Sequence, residues 1–211
     1  SFAILEQCRT ECQSLPADPF LVLPQTGSSS EEDHPGNLPS LDTLSEKLLK
    51  PAIGLDLAGI FISGTMMRAS INSKGQFHWF STDTFCFDYS LYTSAQKAIK
   101  AMYAGSQWDQ DAYEKNLQNA KDQLKFLDKP SRKLTPGKYR VYFAPAAVAE
   151  FLTVLSWGGL SEKALREGRS PLKKLVEGGE HLSPQFSLEE DFGQGLVPRF
   201  NELGEIAPPH V

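Results

Sequence analysis

Histidine is scarce in this chain: four residues, at 34, 78, 181 and 210, none inside a catalytic or metal-binding motif. Cysteine is scarcer, at 8, 12 and 86, and an odd number without a spacing pattern excludes a disulfide framework. Cys8 and Cys12 lie one helical turn apart, which suits a metal or redox pair. No third and fourth ligand lies near, so they read as two half-buried thiols on a helix face. No stretch has the form of a signal-peptide core, and no apolar run reaches membrane length. The expected compartment is therefore the cytoplasm, with no membrane partner. Basic clusters are absent beyond Ser131-Arg132-Lys133, and the net charge is −5, which argues against nucleic acid as a partner. There is no GxSxG elbow, and no phosphate loop, since Gly158-Gly159 follows a helical pattern rather than a strand. The acidic run Glu189-Glu190-Asp191 falls in a loop by composition, with no pocket to tune it. These residues supply no catalytic group and no metal ligand set.

What is present describes an ordinary globular protein. A chain of 211 residues, 40% apolar and 22% charged, is one large or two small domains with enough material for a core. Residues 2–15 have a helical period through Leu5, Cys8, Cys12 and Leu15, ended by Pro16. Phe20–Leu23 reads as a short strand. Gln25–Leu38 reads as a polar loop, with His34 beside Glu31, Glu32 and Asp33 as a solvated run rather than a metal site. A helix over Leu41–Leu49 is closed by Pro51. Between Gly54 and Thr93 four strands are expected: Leu57–Ile62, Met66–Ile71, Gln76–Ser81 and Thr84–Thr93, with a hairpin turn at Asn72–Gly75. Phe85, Phe87, Tyr89 and Leu91 share one face of the last. His78 and Trp79 read as sheet core and its cover, the alternative being a stacking surface for a ligand. Ser94 is an expected N-cap for a helix over Ala95–Tyr103, and Asp109 opens a longer helix to about Leu127. Lys129–Gly137, with two prolines and a glycine, is the expected boundary between domains 1–129 and 138–211, with 130–137 as linker.

Beyond that boundary, Tyr139, Val141 and Phe143 alternate with Arg140 and Tyr142 as in a strand. Pro145 stands at a first helical position, Val148, Phe151, Leu152 and Leu155 follow at helical spacing, and Gly158-Gly159 end the helix. From Val176 to Val211 glycine, proline and acid dominate, as in loops and short strands.

Five stretches, in order, carry a resemblance: DLAGIFISG at 56–64, INSKG at 71–75, GKYRVYFAPAAVAEFL at 137–152, EGRSPL at 167–172, and EEDFGQGLVPRFNELGEIAP at 189–208. Together they resemble the TldD/PmbA family, once called modulators of DNA gyrase and understood as two-subunit cytosolic metallopeptidases that process peptides. One kind of subunit in that family carries HExxxH on the helix that follows the strand, two His holding zinc and the Glu acting as base. Laid on this chain without gaps, the three positions fall on Thr153, Val154 and Gly158, none of which can bind zinc or take a proton.

The resemblance therefore implies the subunit type that lacks its own metal. It implies an α+β fold: an antiparallel meander covered by helices, then the strand and helix that begin a second, β-rich domain. The family continues beyond the point where Val211 ends this chain, so the sequence reads as a fragment or a short member. The implied function is a metal-free partner of a zinc-bearing HExxxH subunit in proteolysis or maturation of peptides, with no cofactor in this chain and zinc only in the partner. Arg169 in EGRSPL is either a structural salt-bridge former or a contact to a peptide carboxylate or partner. The alternative is a self-associating peptide-binding or regulatory protein without peptidase activity. A nearby gene for the HExxxH form separates the two.

Overall fold

A computed structural model describes residues 2–17 and 28–210. The expected strand at Phe20–Leu23 lies outside them. The chain forms two compact units, residues 1–129 with 190–211, and residues 130–189.

The first unit is built on a long hairpin. Strands β2 (Asp56–Ile71) and β3 (Phe77–Tyr92) pair antiparallel along their full length, from Asp56 opposite Tyr92 to Ile71 opposite Phe77. Four expected strands are thus two. The interior breaks read at Ser63–Thr65 and Thr82-Asp83 do not interrupt the ladder, because each strand's neighbour supplies its hydrogen bonds throughout. Asn72 closes the turn, its side-chain oxygen accepting from the Lys74 and Gln76 amides. The far edge of β3 is shared by two short strands, β1 (Ser29–His34), parallel to Phe77–Thr82, and β4 (Ala98–Gly105), antiparallel to Phe85–Tyr92.

Both short strands correct the sequence reading. The run SSEEDH forms β1, not loop, because polar side chains on β3 answer it: the Ser30 hydroxyl lies 2.8 Å from His78 Nδ1, and Asp33 accepts from Trp79 Nε1 at 2.9 Å and from the Ser81 hydroxyl. Residues 95–103 form a turn and β4, not a helix. The Thr93 hydroxyl accepts from the Ala95 and Lys97 amides, Gln96 takes positive φ, and the open edge of β3 offers a ladder. Ile99, Ala101 and Tyr103 then alternate towards the core.

The hairpin buries opposite faces in its two halves. In β3, His78, Phe80 and Thr82 are buried in the first half and Phe85, Phe87, Tyr89 and Leu91 in the second, so the buried parity switches at Asp83-Thr84. Gly64, opposite Thr84, has a φ of +154° that side chains rarely adopt. Asp83 secures the switch, accepting from the Gly36 amide at 3.0 Å and the Thr65 hydroxyl at 2.5 Å. These two bonds hold its carboxyl below the usual carboxylate range.

The second-half face is covered by helices α2 (Leu41–Leu49) and α3 (Gln110–Leu127). Asp109 caps α3, accepting from the Ala112 amide, and Tyr113, Leu117 and Ala120 are buried. Trp108, Tyr113 and Tyr103 meet Phe85 and Phe87 with ring centroids about 5–6 Å apart. Tyr113 ties the layers together by donating to the Leu48 carbonyl at 2.9 Å. Burial pushes its hydroxyl pKa up to about 12. Helix α1 (Phe2–Cys12) has no buried residue, and Cys8 and Cys12 are exposed rather than half-buried.

The first-half face is covered by the C-terminal segment. Phe200 stacks on His78 at 5.2 Å, Gln76 donates to the Gly204 carbonyl, and Gly195 lies so close to the His34 ring that a Cβ there would collide with it. The class is α+β: a three-stranded antiparallel meander with β1 added in parallel, covered by α2 and α3 on one side.

In the second unit the expected strand at Tyr139–Phe143 is irregular. Alternation makes a strand only where a neighbour takes its backbone hydrogen bonds, and none does here. Helix α4 (Pro145–Ser156) begins at Pro145 as expected, and just past its end Gly158 takes a φ of +100°. Short helices α5 (Glu162–Arg166) and α6 (Lys173–Val176) follow.

Candidate functional site

The positions singled out in the sequence lie on α4, at its exit and in the loop after α5. Thr153 donates its hydroxyl hydrogen to the Ala149 carbonyl at 3.0 Å, a bond internal to the helix. Val154 carries no donor or acceptor in its side chain. Gly158 has no side chain, and its positive φ shapes the helix exit, where the Gly159 amide returns to the Leu155 carbonyl at 2.7 Å. A tetrahedral zinc site needs nitrogen, sulfur or carboxylate donors, and this set offers none. Among the described residues no group of His, Cys, Asp and Glu converges on a point where a metal ion could sit. The residues at the zinc-motif positions do not fit the metal.

EGRSPL is a lock on that helix exit. The Ser161 hydroxyl caps α5 by accepting from the Ala164 amide. The Arg169 and Ser170 amides both return to the Ala164 carbonyl, at 2.8 and 3.1 Å. The buried Ser170 hydroxyl donates to the Gly159 carbonyl at 2.7 Å and accepts from the Leu172 amide at 3.1 Å. The serine, passed over in reading the sequence, therefore joins α4, α5 and the loop. Its signal was faint, one small polar residue before a proline. Arg169 stands beside it with its guanidinium on Glu167, two residues back, and its side chain two-thirds exposed. Arg166 makes a separate pair with Glu162, donating from Nε and Nη2 to one carboxylate oxygen.

The surface of α4 is apolar and open. Phe151 packs its edge against Phe143, yet Phe151 is 56% exposed, Val154 63% and Trp157 83%. No residue of the helix is buried.

In the first unit the Ser30–His78 pair invites comparison with a nucleophile and its base. His78 is fully buried under Phe200, and among the described residues its Nε2 has no hydrogen-bond partner. Among the described residues no third group orients the ring, so the pair reads as core. Trp79, half-buried, spends its indole N–H on Asp33. His34 lies against Phe80 and 3.5 Å from Glu32.

Residues 136–196 match the family model described as PmbA/TldA metallopeptidase C-terminal domain. The match contains α4, α5, α6 and the Ser170 lock, and it supports membership of the TldD/PmbA family. No curated protein and no solved structure matches the chain.

Proposed function

We propose that this chain is a metal-free subunit of a TldD/PmbA-type peptidase, pairing with a zinc-bearing HExxxH subunit and helping to hold peptide during proteolysis or maturation. The observation that carries it is the pairing of the family domain at 136–196 with Thr153, Val154 and Gly158 at the zinc-motif positions of α4. The family chemistry needs two imidazoles and a carboxylate there, so the chemical step falls to another subunit. The open apolar face of α4 supports burial in an assembly, since contiguous exposed apolar surface marks interaction sites. The cytoplasm is the compartment proposed. No described helix is long and apolar enough to cross a membrane.

The test is Val154→Lys with Trp157→Lys, measured for pairing by size-exclusion chromatography with an HExxxH subunit. The double variant is expected to fold and to lose the pair. Wild-type pairing contradicts an α4 interface. Arg169→Ala is read beside Arg166→Ala: reduced peptide processing in the first alone assigns Arg169 a peptide or partner contact, and equal processing removes that role.

A further inference from the structure

The first unit contains a cavity of about 420 Å³ between the edge of β2 and the C-terminal segment. None of its lining residues falls within the matched family domain, which ends at residue 196. Met66, Val197 and Phe200 give it apolar walls, and Arg68, Ser70 and Glu202 give it polar ones. Its volume is that of a small-ligand site, which runs about 300–1,000 Å³.

Two of its charges are unspent. Among the described residues the side chains of Arg68 and Glu202 make no hydrogen bond or ion pair, with each other or with a third group. Both residues are exposed to solvent, and no ion pair joins them. Arg68 is fixed on β2, opposite Phe80 in a continuous ladder. Glu202 sits in a turn closed by Asn201, whose side-chain oxygen accepts from the Leu203 and Glu205 amides at 2.9 and 3.0 Å. The Gly204 amide returns to the Asn201 carbonyl, and Gly204 has positive φ in a place where a Cβ would press on Gln76. Phe200, one residue before the turn, is anchored on His78. Both charges thus stand on ordered backbone.

We infer that this cavity binds a small α-amino zwitterion, a free amino acid or a dipeptide with an apolar side chain. Its carboxylate goes to the Arg68 guanidinium, a bidentate fit, and its ammonium to the Glu202 carboxylate. The apolar side chain lies along Met66, Val197 and Phe200. The inference rests on this cavity alone and is independent of zinc, pairing and α4.

Calorimetric titration of the whole chain tests it with leucine, alanyl-leucine, N-acetyl-alanyl-leucine and alanyl-leucine amide. Leucine or alanyl-leucine is expected to bind, and which of them binds tighter tells amino acid from dipeptide. Capping either end is expected to weaken alanyl-leucine about tenfold or more, the scale of one charge-assisted bond. Arg68→Gln is expected to cost the same and to become indifferent to the C-terminal amide, and Glu202→Gln to become indifferent to the N-acetyl group. An unchanged denaturation midpoint shows that each variant is folded. The inference is overturned if neither free zwitterion binds the wild-type chain, if the capped forms bind as well as the free one, or if folded Arg68→Gln keeps wild-type affinity.

Discussion

The two units of this chain are stabilised by different means. The first buries a ring-rich layer, Phe85, Phe87, Tyr89, Trp108 and Tyr113, under α2 and α3, and its hydrophobic residues carry the fold. The second, which carries most of the family domain, buries Ala164 and Ser170 and leaves Phe151, Val154 and Trp157 on α4 open. Its order comes from caps and returns: Pro145 at the start of α4, Gly158 at its end, Ser161 before α5, and Ser170 reaching back to Gly159. A unit held by local hydrogen bonds with its apolar side unspent is suited to being completed by another surface. A unit with a closed core is suited to carrying a pocket of its own.

The largest effect that would break this contrast belongs to the closed core. Leu117→Ala is expected to cost about 2–5 kcal/mol, the range for truncating a buried aliphatic, read by urea denaturation through tryptophan fluorescence. Gly64→Val attacks the same unit through its backbone, at the point where the hairpin changes its buried face. Forcing a β-branched residue to a φ of +154° is expected to cost about 1–3 kcal/mol. In the second unit, Ser170→Ala removes one buried hydroxyl and orphans the Leu172 amide, for about 1–2 kcal/mol. Hydrogen exchange should quicken at Gly159–Leu172 while the first unit's protection stays unchanged. A loss of protection spread over both units would show that they share one cooperative core.

Smaller still are the α4 surface changes. Val154→Lys and Trp157→Lys should each shift stability by about 0.5 kcal/mol or less, since exposed side chains contribute little to the fold. The pH dependence is also modest and has a definite sign. Asp83, with its pKa depressed by the hydrogen bonds from Thr65 and then Gly36, favours the fold above the ordinary carboxylate pKa, and that contribution fades as pH falls through its lowered value. Asp83→Asn should flatten this acid limb in a stability-versus-pH series.

Much of the closed unit was legible in the sequence because period and capping act locally. The alternating face of Phe85–Leu91, the turn at Asn72–Gly75 and the Asp109 cap of α3 needed no distant information. What misled was structure decided at a distance. SSEEDH became a strand because His78, Trp79 and Ser81 receive its side chains, and Ala98–Gly105 became a strand because β3 had an edge to fill. Tyr139–Phe143 had the alternation and lacked the neighbour. At the candidate site, that the side chains of Thr153, Val154 and Gly158 offer no zinc ligand follows from residue identity alone. The Ser170 lock and the unpaired Arg68 and Glu202 depend on folding and could not be read beforehand.

The most direct measurement is affinity purification of this protein from its own source, with mass spectrometry and zinc analysis of what comes with it. The account predicts a stoichiometric HExxxH-bearing partner and about one zinc per pair, carried by the partner. Recovery of this protein alone, free of zinc, would contradict it and leave a self-associating binding protein.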